Sequence, residues 1–262
     1  MAYEKELELD AVIDSPYDSR DYNINSIMDV SGMELPSAYR TQTTVPVLSQ
    51  GSIGCCVACA LASSRYIQEE LLEGKTDKFS VNYIYGNRLD TDYQGSGMIP
   101  REALKTILDY GDCLWEVFPG YSLYEDAAEE YNKQKNHYDG CALPYRINSY
   151  YHLYSEKEIK AAVHELGCVV LSININDAFR YPASGGYVEY DSTQAMGVGH
   201  SVIIVGWTED DHWIVLNSWG DDYGDKGYCY LSFDYPWKEA WAMTDTNRYQ
   251  KYMGIKKNKH LC

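Results

Sequence analysis

The hydrophobic pattern of this chain changes period near residue 167, and that change limits its fold more than any other feature. Ahead of it the apolar residues recur at helical spacing. Ala58, Ala60, Leu61, Ala62, Ile67 and Leu71 follow a loop with two glycines, Gly51 and Gly54, and predict a helix that ends near Gly74. Pro100 opens a second helix, with Ala103, Leu104, Ile107 and Leu108 on one face and Gly111 as its stop. Ser155 and Glu158 have capping-box spacing; Ile159, Ala162, Val163 and Leu166 continue the pattern, and Gly167 ends it. Beyond that point, 169–175, 202–207, 213–216 and 228–233 are short β-branched and aromatic runs between turn residues. Helices first and strands later predict an α+β fold of two lobes, with a cleft where residues distant in sequence meet.

Residues 1–40 are polar and acidic with little periodicity and read as an extended arm. The folded domain is expected over 41–247, with a helical lobe at about 48–118 and a β-rich lobe at about 119–247. The remainder, 248–262, is a basic tail carrying Lys256, Lys257 and Lys259. Lysine and arginine number 22 against 39 acidic residues, a net charge of −17 that repels phosphate backbones and anionic headgroups. Neither nucleic acid nor a membrane is therefore an expected partner. The chain contains no run of about 18 apolar residues, and its acidic start lacks the basic and apolar regions of a secretory signal. A cytoplasmic protein with reduced thiols is the expectation; virion association, or release without a classical signal, is the alternative. The eight cysteines are scattered rather than spaced as a disulfide scaffold. Oligomeric state is not readable from the pattern.

Three local patterns carry chemistry. Cys56 stands where a glycine loop enters a helix, Gly199-His200 enters a strand, and Asn217-Ser218-Trp219-Gly220 leaves the next one. A thiol attacks as its thiolate, which the positive end of a helix dipole and a nearby imidazolium both favour. Histidine can take and return the thiol proton once an amide oxygen fixes its ring. His200 and Asn217 lie 144 and 161 residues after Cys56, close to the roughly 130–150 of known thiol peptidases.

The block Gln50-Gly51-Ser52-Ile53-Gly54-Cys55-Cys56-Val57-Ala58 resembles the papain-family (C1-type) cysteine peptidase motif, in which a glutamine precedes the nucleophile by six residues. Gly199-His200-Ser201-Val202 resembles the histidine strand of that family. Asn217 to Gly220, with Tyr223-Gly224 and Gly227-Tyr228, resembles its asparagine segment. Ser96-Gly97-Met98 and the helix from Pro100 are similar to its substrate-binding edge. The resemblance implies a papain-like fold, a helical lobe against a barrel-like β lobe, and a cysteine endopeptidase that forms a thioester acyl-enzyme on a peptide or protein substrate. It implies catalytic roles for Cys56, His200, Asn217 and Gln50, the last an oxyanion donor. It also implies substrate contacts at Gly97, Met98, Gly199, Ser201 and Trp219, the tryptophan shielding the His200–Asn217 bond.

Cys55, Val57 and Ile53 depart from the family pattern, where serine, tryptophan and a bridged cysteine are common. No disulfide is expected, and with 49 residues before Gln50 the long helical propeptide of many members is not expected either. Tyr17 to Tyr22 resembles an acidic arm of bacterial and phage members. Cys56-Val57-Ala58-Cys59 also reads as a redox motif, but that leaves Gln50, His200 and Asn217 unexplained. A zinc site from Cys55, Cys56 and Cys59 lacks a second paired group, so neither metal nor organic cofactor is expected. The rival of another class is a catalytically silent papain-fold module serving a viral particle or larger assembly.

Overall fold

The computed structural model describes residues 12–88, 97–194 and 196–245. The expected basic tail, Ser96 and the first eleven residues lie outside these. A short strand β1 (Tyr39–Arg40) is followed by the helices α1 (Cys56–Glu73), α2 (Val81–Gly86), α3 (Pro100–Tyr110), α4 (Tyr124–Lys133) and α5 (Lys135–Ala142). Next come β2 (Ile147–Leu153), α6 (Glu156–Leu166), β3 (Val169–Asn174), the single turn α7 (Asp177–Arg180) and β4 (Tyr187–Val188). The described residues close with β5 (Gly199–Trp207), β6 (His212–Leu216), β7 (Tyr228–Ser232) and β8 (Trp237–Asp245). The strands form one mixed sheet in the order β2-β8-β3-β5-β6-β7-β4, with β1 on β5; among the described residues the β4–β7 strand pair is parallel and the other strand pairs antiparallel.

β5 is the centre of the molecule, buried at all nine positions. Its alternation serves two cores. Ile203 and Val205 join the cluster that holds Leu61 and Ile67 of α1, while Val202 and Ile204 join Ile159, Val163 and Leu166 of α6. α1 is buried along residues 56–69, as expected of a helix hydrophobic on most sides. Gly74 stops it at φ +65°, a left-handed position that costs glycine little, with its N–H on the Glu69 and Glu70 carbonyls. At α6, Ser155 accepts from the Glu158 amide as a capping box requires. The Glu158 carboxylate instead takes the Tyr154 amide at 2.6 Å and the Asn23 and Asn25 side chains at 3.0 and 2.7 Å, so the cap also anchors the arm.

Two further helices, α4 and α5, follow α3 before the strand at Ile147. α4 and α5 pack on α2, with Tyr83, Phe118, Tyr131 and Tyr138 forming a third cluster. The Tyr83 and Tyr131 hydroxyls both donate to Asp139 Oδ1, at 3.0 and 2.9 Å. Gly86 permits the approach, since a Cβ there would lie 2.6 Å from the Ala127 backbone. After β1, the next strand begins at Ile147.

The arm is pinned to the folded body. Val12 and Ile24 are fully buried, and the Ile13 amide donates to the Met98 carbonyl at 3.2 Å beside a Val12–Met98 bridge. Asp14 pairs with Lys238 at 2.6 Å, and the Ser15 amide donates to Glu239 at 3.2 Å. Arg101 donates to the Pro16 carbonyl at 2.7 Å and pairs with Asp21 at 3.3 Å.

Among the described residues no helix is long and apolar enough to cross a membrane. All seven described cysteines are free thiols, so adding dithiothreitol is expected to leave the melting temperature of freshly prepared protein unchanged. A fall, together with a disulfide seen by mass spectrometry, contradicts that expectation.

Candidate active site

Cys56 is the first residue of α1, after the N-cap Cys55, whose side chain makes no capping bond. The preceding loop is tightly tied: Gln50 N donates to Ser218 O at 2.9 Å, Ile53 N to Gln50 O at 3.2 Å and Cys55 N to Ile53 O at 2.8 Å. Gly51 sits at φ +59°, which this turn requires. The loop is also stitched to the segment after β6 through a Ser49–Trp219 bridge and a Gly220 N to Leu48 O bond of 2.9 Å. These ties bring the starts of α1 and β5 and the end of β6 to one junction. The Cys56 thiol there lies beside the Ser201 amide.

His200 Nε2 and Asn217 Oδ1 are 2.8 Å apart. An amide oxygen only accepts, so Nε2 carries the proton and Nδ1 of the neutral ring is the acceptor. Asn217 Oδ1 also takes the Ser218 amide at 2.8 Å, which fixes which way the asparagine faces. The Trp219 ring lies 4.8 Å from the imidazole at 33°, and Phe179 meets both rings edge-on, 5.9 Å from His200 and 5.5 Å from Trp219. Gln50 Nε2 donates to Ile53 O at 2.8 Å, while its Oε1 accepts from Ser218 Oγ at 2.6 Å. One Nε2 proton remains available.

Cys56, His200, Asn217, Gln50, Ser201 and Trp219 thus gather at one junction. Gly199 leads into it at the start of β5, opposite Asn174. Ser201 Oγ is 3.1 Å from Ser172 Oγ. Gly97 and Met98 lie at the α3 end of the domain. Gly97, at φ +100°, donates to the Tyr85 hydroxyl at 3.3 Å and accepts from Arg88, while Met98 holds the arm. Two contacts were not foreseen from sequence. Ser218 lay inside a recognised block, where a hydroxyl next to the asparagine was the available signal; Phe179, in the single turn α7, had none.

Burial sets the charge state. Cys56 is 0% exposed and His200 2% exposed. Burial pushes the Cys56 thiol up to about 12, opposed by the neighbouring Ser201 and Val57 amides. Burial likewise holds His200 down to about 4, against the stabilising Asn217 bond. The covered pair is therefore a neutral thiol and a neutral imidazole, the reverse of what the helix dipole alone favours. Among the described residues, no group of three or more histidine, cysteine or acidic side chains is placed to hold a metal ion.

A stability consequence follows. Between pH 6.5 and about 4 the unfolded chain protonates this histidine while the folded protein does not. The unfolded state then binds more protons, so stability falls as pH falls through that window, by ~3 kcal/mol in total from this group. Denaturant titrations of Cys56→Ala protein across the window are expected to show this loss, and His200→Gln in that background to remove its share. Equal pH slopes for the two proteins contradict the assignment.

The profile described as papain family cysteine protease matches residues 37–249. A cysteine protease of Blomia tropicalis is 28% identical over 197 residues, covering 71% of this chain and 56% of that protein. Cathepsin B-like cysteine proteinase 3 of Caenorhabditis elegans is 36% identical over 103 residues, 38% of this chain and 26% of its own length. The chain thus spans from about a quarter to just over half of these curated relatives. Among solved structures, xylellain, a cysteine protease from Xylella fastidiosa, superposes with a TM-score of 0.78 at 21% identity, covering 93% of this chain and 98% of that one. Procathepsin B of Trypanosoma congolense gives 0.71 at 17% identity, over 90% and 86% of the two chains. Both share the α+β, papain-like two-lobe fold. With most of its length inside the matched profile, the chain belongs to the papain family of cysteine proteases.

Proposed function

We propose that this protein is a cysteine endopeptidase in which Cys56 is the nucleophile, His200 the acid and base, Asn217 the residue that orients the histidine, and Gln50 an oxyanion donor. The observation that carries this reading is the 2.8 Å His200–Asn217 bond at the junction where the Cys56 thiol meets the strand bearing His200. The catalytic body is residues 41–247, with 1–40 as an arm and 248–262 as a tail.

His200 Nδ1 takes the thiol proton, and the thiolate attacks the substrate carbonyl. The oxyanion that forms is held by the Cys56 amide, at the start of α1, and by the second proton of Gln50 Nε2. His200 then protonates the departing amine, leaving a thioester that water, activated by the same histidine, hydrolyses. Trp219 and Phe179 keep competing water from the His200–Asn217 bond. Burial opposes thiolate formation at rest, so turnover includes an opening step that exposes Cys56 and supplies dipoles for the ion pair. Gly97, Met98, Gly199 and Ser201 contact the substrate, and a peptide pairing at Met98 displaces Val12 and Ile13.

The rival, a catalytically silent module, leaves this hydrogen-bonded set without a purpose. Hydrolysis of internally quenched peptides separates the two: cleavage at an internal bond supports the endopeptidase, and release of terminal residues alone makes it an exopeptidase. Protein whose Cys56 reacts with thiol reagents but which cleaves nothing is a binding module.

A further inference from the structure

Three thiols crowd the start of α1, and the function proposed above employs one of them. Cys55 and Cys59 are buried; their sulfurs lie 3.8 Å apart, and the Cys59 amide donates to the Cys55 carbonyl at 2.9 Å. The pair therefore faces itself across one helical turn, with Cys56 on the same turn. The Cys59 thiol also lies against the Ser218 side chain, and Ser218 Oγ donates to Gln50 Oε1 at 2.6 Å. A change at Cys59 reaches Gln50 through a single intervening side chain.

We propose that Cys55 and Cys59 are a modification site, a thiol pair that hydrogen peroxide converts into a reversible intrahelical disulfide, disabling the neighbouring Cys56. In the first step one sulfur attacks a peroxide oxygen: an S–O bond forms, the O–O bond breaks, and the departing hydroxide leaves as water with the thiol proton. In the second, the partner sulfur attacks that sulfenic acid: the S–S bond forms, the S–O bond breaks, and hydroxide again leaves as water. Two thiols and one peroxide give one disulfide and two waters, with two electrons passing to the peroxide.

The geometry makes this bridge a switch rather than a staple. Side chains four apart on a helix have Cβ atoms about 5–6 Å apart, whereas a disulfide needs about 3.5–4.5 Å. Closing it tightens the turn by on the order of 1 Å, and strained disulfides are the readily reduced ones. Burial, with Cys55 alongside, raises Cys59 well above the ordinary thiol range, so its thiolate is scarce and closure needs sustained peroxide.

The bridge is tested first in full-length Cys56→Ala and Cys56→Ser proteins, where oxidation of Cys56 cannot intervene. After peroxide, denaturing alkylation and peptide mapping are expected to show residues 55 and 59 both protected, the peptide two hydrogens lighter, and both thiols recovered by dithiothreitol. Thiols that stay alkylatable, or that carry separate oxygen adducts, overturn the proposal. The effect on Cys56 rests on its role as nucleophile and is read in the wild type, by competition in one tube. Bridged molecules are expected to take an epoxide inactivator on Cys56 one to two orders of magnitude more slowly than reduced ones, the order expected for a 1 Å misplacement. Equal labelling of the two forms overturns the switch, while reduced protein that never labels refutes the nucleophile and leaves the bridge result standing.

Discussion

Replacing Cys56 by alanine is expected to leave a folded protein whose peptide hydrolysis has dropped by several orders of magnitude. The two halves of this expectation have separate causes. Cys56 is buried at the first position of α1, where alanine is a good helix former and removes one atom, a cost of about 1 kcal/mol by the scale of small core deletions. The chemistry has no such tolerance, because neither His200 nor Asn217 can form the thioester in its place. Circular dichroism and thermal melting check the fold, and turnover of a quenched peptide checks the rest. A folded variant that retains a tenth of the wild-type rate moves the nucleophile elsewhere.

Gln50→Ala has the second largest expected effect, a loss of about 10²–10³ in turnover, or roughly 3–4 kcal/mol of transition-state stabilisation. The side chain is held at both ends: Ser218 Oγ fixes Oε1 and the Ile53 carbonyl takes one Nε2 proton. Those two bonds fix which way the amide faces and leave its second Nε2 proton for an incoming oxyanion. Alanine removes the donor and also the two bonds that the side chain makes to the Ile53 carbonyl and the Ser218 hydroxyl, costing on the order of 1–3 kcal/mol in stability. The catalytic part is recognised by where it falls: kcat drops while KM changes little, since the oxyanion exists only after attack. Unchanged kcat with a raised KM makes Gln50 a residue of ground-state binding.

Much of the scaffold was legible because its signals are local. Gly74, Ser155 and Gly167 mark the helix ends they suggested, and the apolar run 202–207 is the interior of β5. β2 and β8 were not foreseen. Ile147 to Leu153 mixes Asn, Ser, Tyr and His, because half of it is only partly covered. In β8 the bulky Trp241 and Met243 face one core and small Ala240 and Ala242 face the other, which blurs the alternation a strand shows when one face is polar. α4 and α5 carry few apolar residues and are held by tyrosine contacts and Asp139, interactions without a short-range period. The arm read as polar and extended, yet Val12 and Ile24 are fully buried; they sit in short apolar groups, 11–13 and 24–30, too brief and too far apart in an acidic stretch to give a sustained period.

At the candidate site the residue types and spacings were readable because loop, strand and turn each carry their own motif. Their energetics were not. The helix position of Cys56 argues for a thiolate, whereas its burial favours the neutral thiol and that of His200 the neutral imidazole. Burial is set by the whole fold, which no local motif encodes. The Ser218–Gln50 bond joins residues 168 apart in sequence, and the Phe179 contact with His200 depends on how α7 folds back over β5.

Cys55 and Cys56 are adjacent, and assigning the wrong one displaces the whole mechanism. Labelling full-length protein with an epoxide-type inactivator of cysteine peptidases, followed by mass mapping of the adduct, shows which thiol is the nucleophile. One adduct per chain is expected, on Cys56, retained in Cys55→Ser and lost in His200→Ala because the ring no longer draws off the thiol proton. An adduct on Cys55, or loss of labelling in folded Cys55→Ser protein while Cys56→Ser still reacts and turns over substrate, contradicts it.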